Sequence, residues 1–210
     1  MLRENKNITK KQPIVIKLGG SLYPHAASVT QAIKESQRPC LIVGGGGAGA
    51  DALRAQDLDD DAAHWMAILA MEQYGWYLSS FGIPVVEPSD SIAIPTDQRI
   101  CLPYYFLYKT DPLPHSWDVT SDSISLFIAD RLNLPLLILK SIDRIRINAK
   151  ETDIITQPGQ TDDLDAYFLS YACSLSVQVT IINGQDPQRI KMALDGVKVP
   201  GTVIKSNKYI

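Results

Sequence analysis

The chain has 210 residues, 45% of them hydrophobic and 20% charged, with a formal net charge of −3. That length suits one compact domain with two lobes, and so ordinary a composition argues against extended disorder. Lys and Arg are scattered rather than gathered in a stripe, which argues against a nucleic-acid partner.

Residues 1–12, MLRENKNITKKQ, read as loose, and the chain then enters an apolar run, Ile14 to Leu18. Further runs follow at Cys40 to Val43, Ile83 to Val86, Leu136 to Leu139, Val177 to Ile182 and Thr202 to Ile204. None alternates with polar residues, as befits strands covered on both faces of a mainly parallel sheet. Helical stretches at Ala62 to Ser80, Ser123 to Leu132 and Pro187 to Asp195 separate them, so crossover connections and a layered α/β architecture are expected. Between Glu87 and Trp117, recurring prolines and the aromatic cluster Tyr104, Tyr105, Phe106 and Tyr108 predict irregular or edge structure with a hairpin. Within a single domain spanning 1–210, the division between an N-terminal lobe, 13–115, and a C-terminal lobe, 116–210, is placed here.

Cys40, Cys101 and Cys173 lack the spacing of a zinc site or disulfide framework and read as buried thiols in a reducing compartment. The N-terminus has no signal-peptide pattern and no apolar run is long enough to span a bilayer. A cytoplasmic location without a membrane partner is the expectation.

Two glycine turns each follow a strand: Lys17-Leu18-Gly19-Gly20-Ser21 and Val43-Gly44-Gly45-Gly46-Gly47-Ala48-Gly49. Glycines let consecutive backbone N–H groups close around phosphate oxygens, although glycine clusters also serve as plain tight turns. Gly44, Gly46 and Gly49 match G-x-G-x-x-G, but the acidic residue that a dinucleotide site needs about twenty residues on is missing from the right place. Neither turn ends in Gly-Lys-Ser/Thr, so a P-loop is unsupported. Lys17, at the end of its strand, is either a cation for a transferring phosphoryl group or a strand-edge lysine reaching for water.

The segment His115-Ser116-Trp117-Asp118-Val119-Thr120-Ser121-Asp122-Ser123 completes a pattern. With Ile16-Lys17-Leu18-Gly19-Gly20-Ser21 and Gly44 to Gly47, it resembles the amino acid kinase superfamily in order and spacing. More narrowly, this segment and Ile181-Ile182-Asn183-Gly184-x-x-Pro187-x-Arg189 are similar to the [5-(aminomethyl)furan-3-yl]methyl phosphate kinases of methanofuran-type cofactor biosynthesis.

The resemblance implies a three-layer αβα sandwich, the amino acid kinase fold, with the acceptor in the N-terminal half and ATP in the C-terminal half. It implies that Lys17 stabilises the transferring group, that Asp122 orients Lys17, and that Gly19, Gly20, Ser21, Gly44, Gly45 and Gly46 wrap phosphates. Asp122 also fits a plain first-turn aspartate. His64 and Glu72, eight residues apart on the long helix, are candidate acceptor contacts with Trp117, Thr120 and Ser121. His64 and Glu72 also read as features of a half-buried helix whose Met66, Leu69 and Met71 pack the core, with His64 a satisfied structural histidine.

Lys140 and Asp143 are the candidate nucleotide contacts, although Arg144 stands where many relatives have glycine. No counterpart of the second catalytic lysine of some superfamily members is evident in the short stretch that follows. With no dense carboxylate or His/Cys cluster, Mg²⁺ is expected on the nucleotide phosphates rather than in a protein cage.

The expected activity is transfer of the ATP γ-phosphoryl group onto a phosphate monoester, aminomethylfuran phosphate, giving a diphosphate, in a homo-oligomer. Alternatives are a carboxylate, carbamate or nucleotide acceptor on the same fold, or a catalytically weakened ligand-binding homologue.

Overall fold

The computed structural model describes residues 11–205, so most of the stretch expected to be loose, 1–12, lies outside the described residues. In chain order the elements are β1 (Ile14–Leu18), a short 3-10 helix (Gly20–His25), α1 (Ala26–Ser36), β2 (Cys40–Gly44), α2 (Gly47–Arg54) and α3 (Asp60–Ser79). Next come β3 (Val85–Val86), β4 (Gln98–Cys101), α4 (Tyr104–Thr110), α5 (Ser121–Leu132) and β5 (Leu136–Lys140). The C-terminal part adds β6 (Ile145–Ile147), β7 (Lys150–Thr152), β8 (Ile154–Ile155), α6 (Phe168–Ser174), β9 (Val179–Asn183), α7 (Pro187–Leu194) and β10 (Thr202–Ile204).

Eight strands form one sheet in the order β3-β4-β2-β1-β5-β9-β10-β8, while β6 and β7 make a separate hairpin. Every neighbouring pair in the large sheet is parallel except β9 and β10. The centre is buried on both faces, which is why its strands show no polar alternation: every residue of β1 and β2 is buried. Val15, Val43 and Ile138 face a core built with α5 and α6, through Ile124, Ile128 and Phe168. Ile16, Ile42 and Leu139 face the other core, built with α1 and α7 through Val29, Ile33 and Ile190. Helices on both sides of one sheet make the expected three-layer αβα sandwich.

The stretch expected to be irregular is ordered. Gln98–Cys101 pairs in parallel with Cys40–Val43, and Ile100 and Cys101 are buried, so β4 is an inner strand despite the flanking prolines. The aromatic cluster is a helix rather than a hairpin. Pro103 stands at its N-cap, where a missing N–H costs nothing, and Phe106 and Leu107 turn inward while Tyr105 and Tyr108 stay exposed. The hairpin lies instead at β6–β7. Cys40 and Cys101 are buried as expected; Cys173, on the short α6, is only half-buried, and all three are free thiols.

Candidate active site

Ligands of open α/β sheets bind beyond the carboxyl ends of the strands, and here both glycine turns emerge from the two adjacent central strands β1 and β2. The turns touch backbone to backbone. A Cβ on Gly20 would sit 2.4 Å from the Cα of Gly47, and one on Gly45 would sit 2.8 Å from the amide nitrogen of Gly20. Gly47 also has φ +52°, a conformation that favours glycine. The Gly19 and Gly45 amides donate to the carbonyls of Leu139 (3.0 Å) and Leu18 (2.9 Å), which pins the floor to the sheet.

Above this floor opens a cavity of about 860 Å³. Of the glycine-turn residues singled out in the sequence, Gly20, Ser21 and Gly46 line it, and Gly47 joins them. Gly19 and Gly45 support the floor from behind. Gly44 serves packing: a Cβ there would meet Tyr74 and the Met71 carbonyl of α3 at 3.2 and 3.3 Å.

Three charges meet at the bottom. Lys17 pairs with Ile138 across β1 and β5, and Lys140 is two residues further along β5, so strand alternation turns both ammonium groups to the same face. Asp122, in the first turn of α5, receives both: Lys17 Nζ lies 2.7 Å from Oδ1 and Lys140 Nζ 2.8 Å from Oδ2. Lys17 is 4% exposed and Asp122 3%. Burial alone would raise the Asp122 carboxyl, but the two ammonium groups outweigh it and hold it at about 2. Burial draws the Lys17 ammonium below its ordinary value. The cluster is therefore a fixed anion bracketed by two cations, poor at accepting a proton and suited to meeting negative charge.

Its scaffold is Asp165, a residue outside every motif singled out above. The Thr120 hydroxyl and amide donate to Oδ2 at 2.8 and 2.9 Å, the Ser123 amide donates to the same oxygen at 3.1 Å, and the Ser123 hydroxyl donates to Oδ1 at 2.6 Å. One half-hidden carboxylate thus fixes the turn on either side of Asp122. Burial raises the Asp165 carboxyl despite these donors. Ser121 and Thr120 line the cavity, with the Thr120 hydroxyl turned to Asp165.

One wall is α3. His64 faces the cavity, stacked on His115 with ring centroids 4.1 Å apart. Both nitrogens of His115 meet carboxylates, Nδ1 with Asp61 at 2.6 Å and Nε2 with Asp111 at 2.8 Å, and these contacts raise the pKa of the ring. His64, pressed down by burial first and by His115 next, falls to about 4 and is neutral near pH 7.

Glu72 does not share this wall: eight residues advance a helix about 80° beyond two full turns. It accepts the Tyr104 amide at 2.8 Å, at the start of α4. Met66 and Leu69, expected in the core, are 38% and 40% exposed, whereas Met71 is buried. Trp117 lines the cavity with the Arg54 guanidinium 4.2 Å above its ring.

Asp143 stands apart from this cavity. Arg189 Nη1 at 2.5 Å and Asn183 Nδ2 at 3.2 Å hold it, which joins the Asp143 turn to the Ile181–Arg189 motif. Arg144 turns away to Asp153 and Glu151 on the β7–β8 side. A second lysine reaches the cluster in Lys140, whose contact with Asp122 only the β1–β5 pairing reveals.

No family model matches the chain. It is 27% identical over 206 residues to the [5-(aminomethyl)furan-3-yl]methyl phosphate kinase of Methanocaldococcus jannaschii, covering 87% of this chain and 93% of that protein. Solved structures that superpose on it include an isopentenyl phosphate kinase (TM-score 0.61, 18% identity, 92% of this chain and 100% of that one) and the UMP kinase of Bacillus anthracis (TM-score 0.66, 14% identity, 94% and 97%). The uridylate kinase of Archaeoglobus fulgidus superposes with TM-score 0.58 at 18% identity, covering 92% and 99%.

The chain is similar to a phosphate kinase over most of its length and shares the fold of these amino acid kinase structures. That relative and these structural neighbours are all kinases, which supports an ATP-dependent kinase here. In this kinase, Lys17 and Asp122 meet as the motif reading anticipated. Asp165 and Arg54 join the site from sequence contexts without a recognisable motif. Among the described residues no helix is long and apolar enough to cross a membrane.

Proposed function

We propose that this kinase transfers the ATP γ-phosphoryl group to a phosphate monoester, and that the acceptor is an aminomethylfuran phosphate converted to its diphosphate in methanofuran-type biosynthesis. The observation that carries the reading is the Lys17–Asp122–Lys140 cluster. Its carboxylate is engaged on both oxygens and held at about 2, so it is ill suited to deprotonating a hydroxyl. A phosphate monoester needs no such base, since its second ionisation lies near pH 6. The acceptor's phosphate oxygen forms a bond to the γ-phosphorus, the bond from that phosphorus to the β-bridging oxygen breaks, and ADP departs with no net proton released. The 27% identical relative supports the furan acceptor by its name.

In this reading Lys17 and Lys140 meet the charge on the oxygens of the moving group, while Asp122 keeps both lysines in place. The amides of the joined turns, at Gly20, Ser21 and Gly46, cradle phosphate oxygens, with Gly19, Gly44 and Gly45 shaping the turns. Neutral His64 donates to the acceptor, and Trp117 and Ser121 flank it. Glu72 and Thr120 act indirectly, through Tyr104 and Asp165. Asp143 belongs to the nucleotide side, so residues 13–115 hold the acceptor with Trp117 and Ser121 added from the start of 116–210, and the rest of 116–210 holds the nucleotide. Among the described residues no three His, Cys, Asp or Glu side chains converge as a metal cage. The glycine floor and paired lysines fit nucleotide phosphates, and Mg²⁺ carried by those phosphates supplies further charge neutralisation.

The test is a mass-resolved assay with Mg-ATP and aminomethylfuran phosphate, alongside carboxylate, carbamate and nucleotide acceptors. A new diphosphate with stoichiometric ADP is the expected result. ADP formation only with another acceptor overturns the furan assignment, and nucleotide binding without turnover overturns the kinase assignment itself.

A further inference from the structure

Three cationic side chains line the cavity: Lys17, Lys140 and Arg54. Two are committed, since Lys17 and Lys140 both face Asp122. The side chain of Arg54, in the last turn of α2, makes no ion pair and no hydrogen bond with any described residue. It is nevertheless positioned, with its guanidinium 4.2 Å above the Trp117 ring. The cation–π contact places the group over the ring, and a guanidinium without a protein partner keeps its N–H donors for a ligand, two of which can bind one phosphate in parallel.

The position selects which phosphate. In the sheet, β2 lies on one side of β1 and β5 on the other. Lys140 stands on β5, at the flank that continues to Asp143. Arg54 stands on the helix that follows β2, across Lys17 from Lys140. A group held by Arg54 therefore approaches Lys17 from the side opposite the nucleotide.

We infer that Arg54, held on the face of Trp117, is the clamp for the phosphate that the acceptor already carries, and so sets the preference for a phosphate monoester over the corresponding alcohol. The inference rests on the proposed acceptor class. It adds a specificity-determining pair, Arg54 with Trp117, that joins α2 to the segment before α5. Arginine rather than lysine is required, because an ammonium neither stacks as a plane nor offers a two-pronged donor.

The experiment compares the parent with Arg54→Ala, Arg54→Lys and Trp117→Ala, using aminomethylfuran phosphate, its alcohol and ATP. Loss of charge-assisted hydrogen bonds predicts a rise in the acceptor KM of about ten- to a hundredfold for Arg54→Ala, with the KM for ATP unchanged. Arg54→Lys and Trp117→Ala should fall between, and the preference for phosphate over alcohol should shrink in step. Inorganic phosphate should compete with the acceptor in the parent and lose that competition in Arg54→Ala.

An unchanged acceptor KM in Arg54→Ala, or an equal rise for ATP, overturns the clamp while leaving the kinase reading intact. If the parent turns over no phosphate monoester, the proposed function fails. The clamp is then judged by calorimetric binding of inorganic phosphate: binding that needs Arg54 upholds it, and binding indifferent to Arg54 overturns it.

Discussion

The Lys17 ammonium lies 2.7 Å from Oδ1 of Asp122, with both side chains almost wholly out of water. Lys17→Met should lower kcat by about a hundred- to a thousandfold, as removal of one preorganised donor to transition-state charge does. The KM for ATP should change far less. Steady-state kinetics at saturating substrates decides this, and weakened binding with normal turnover would contradict the role.

Asp122→Asn keeps the size of the side chain but leaves Lys17 and Lys140 facing each other without a counter-charge. Uncompensated buried charge costs about 3–5 kcal/mol, so the melting temperature should fall. Adding Lys17→Met should restore part of it, because the stranded cation is gone. Single-turnover transfer should show the two activity losses overlapping rather than multiplying. Since the folded carboxyl is held at about 2 against an ordinary 3.8, the pair's stabilisation is complete above that ordinary value and disappears as pH falls through about 2.

The histidine pair gives a second pH signature. His64 titrates at about 4 in the folded chain against an ordinary 6.5, so the unfolded chain takes the proton first and stability declines as pH drops through that window. His115 is shifted upward, and its stabilisation is present below 6.5 and lost as pH rises through its folded value. His115→Gln should therefore destabilise more at pH 5.5 than at pH 8. It should also let the His64 pKa climb, readable in the imidazole resonances by NMR.

Gly20→Ala drives a methyl to 2.4 Å from the Cα of Gly47. Backbone cannot yield as a flexible side chain can, so the two turns must part and phosphate binding should be lost. Calorimetry with ADP and thermal melts would show weakened binding with a moderate loss of stability.

Asp165→Asn puts an amide where four donors converge. A loss of about 2–4 kcal/mol is expected from the disrupted buried network, with kcat falling as the turn around Asp122 loosens. Denaturant melts and kcat are the two readouts. Normal kcat in a fully folded variant would remove Asp165 from the support of Asp122.

What the sequence made legible was whatever had its own local signature. The β1 and β2 runs, the glycines after them and the Thr120–Ser123 turn were identifiable because each is contiguous. Lys140 was legible as a candidate nucleotide contact, but its pairing with Asp122 was not, since that depends on which strand lies beside β1. Asp165 sits in an irregular stretch, and its value comes from donors more than forty positions away. Glu72 misled because an eight-residue spacing resembles a shared helix face until the 80° offset is followed to Tyr104. Prolines around β4 and aromatics in α4 obscured two ordered elements whose stability comes from burial.

The alternation that turns Lys17 towards Asp122 also constrains how this chain can change length. The Gly19 turn is anchored to Leu139, so deletion of Leu18 would set Lys17 one step along β1 and point its ammonium into the opposite layer, among Leu22 and Ile33. Loss of a single codon there is an inversion of the strand's two faces. An inserted residue between β3 and β4 should therefore be tolerated far better than one added or removed between Ile14 and Gly19.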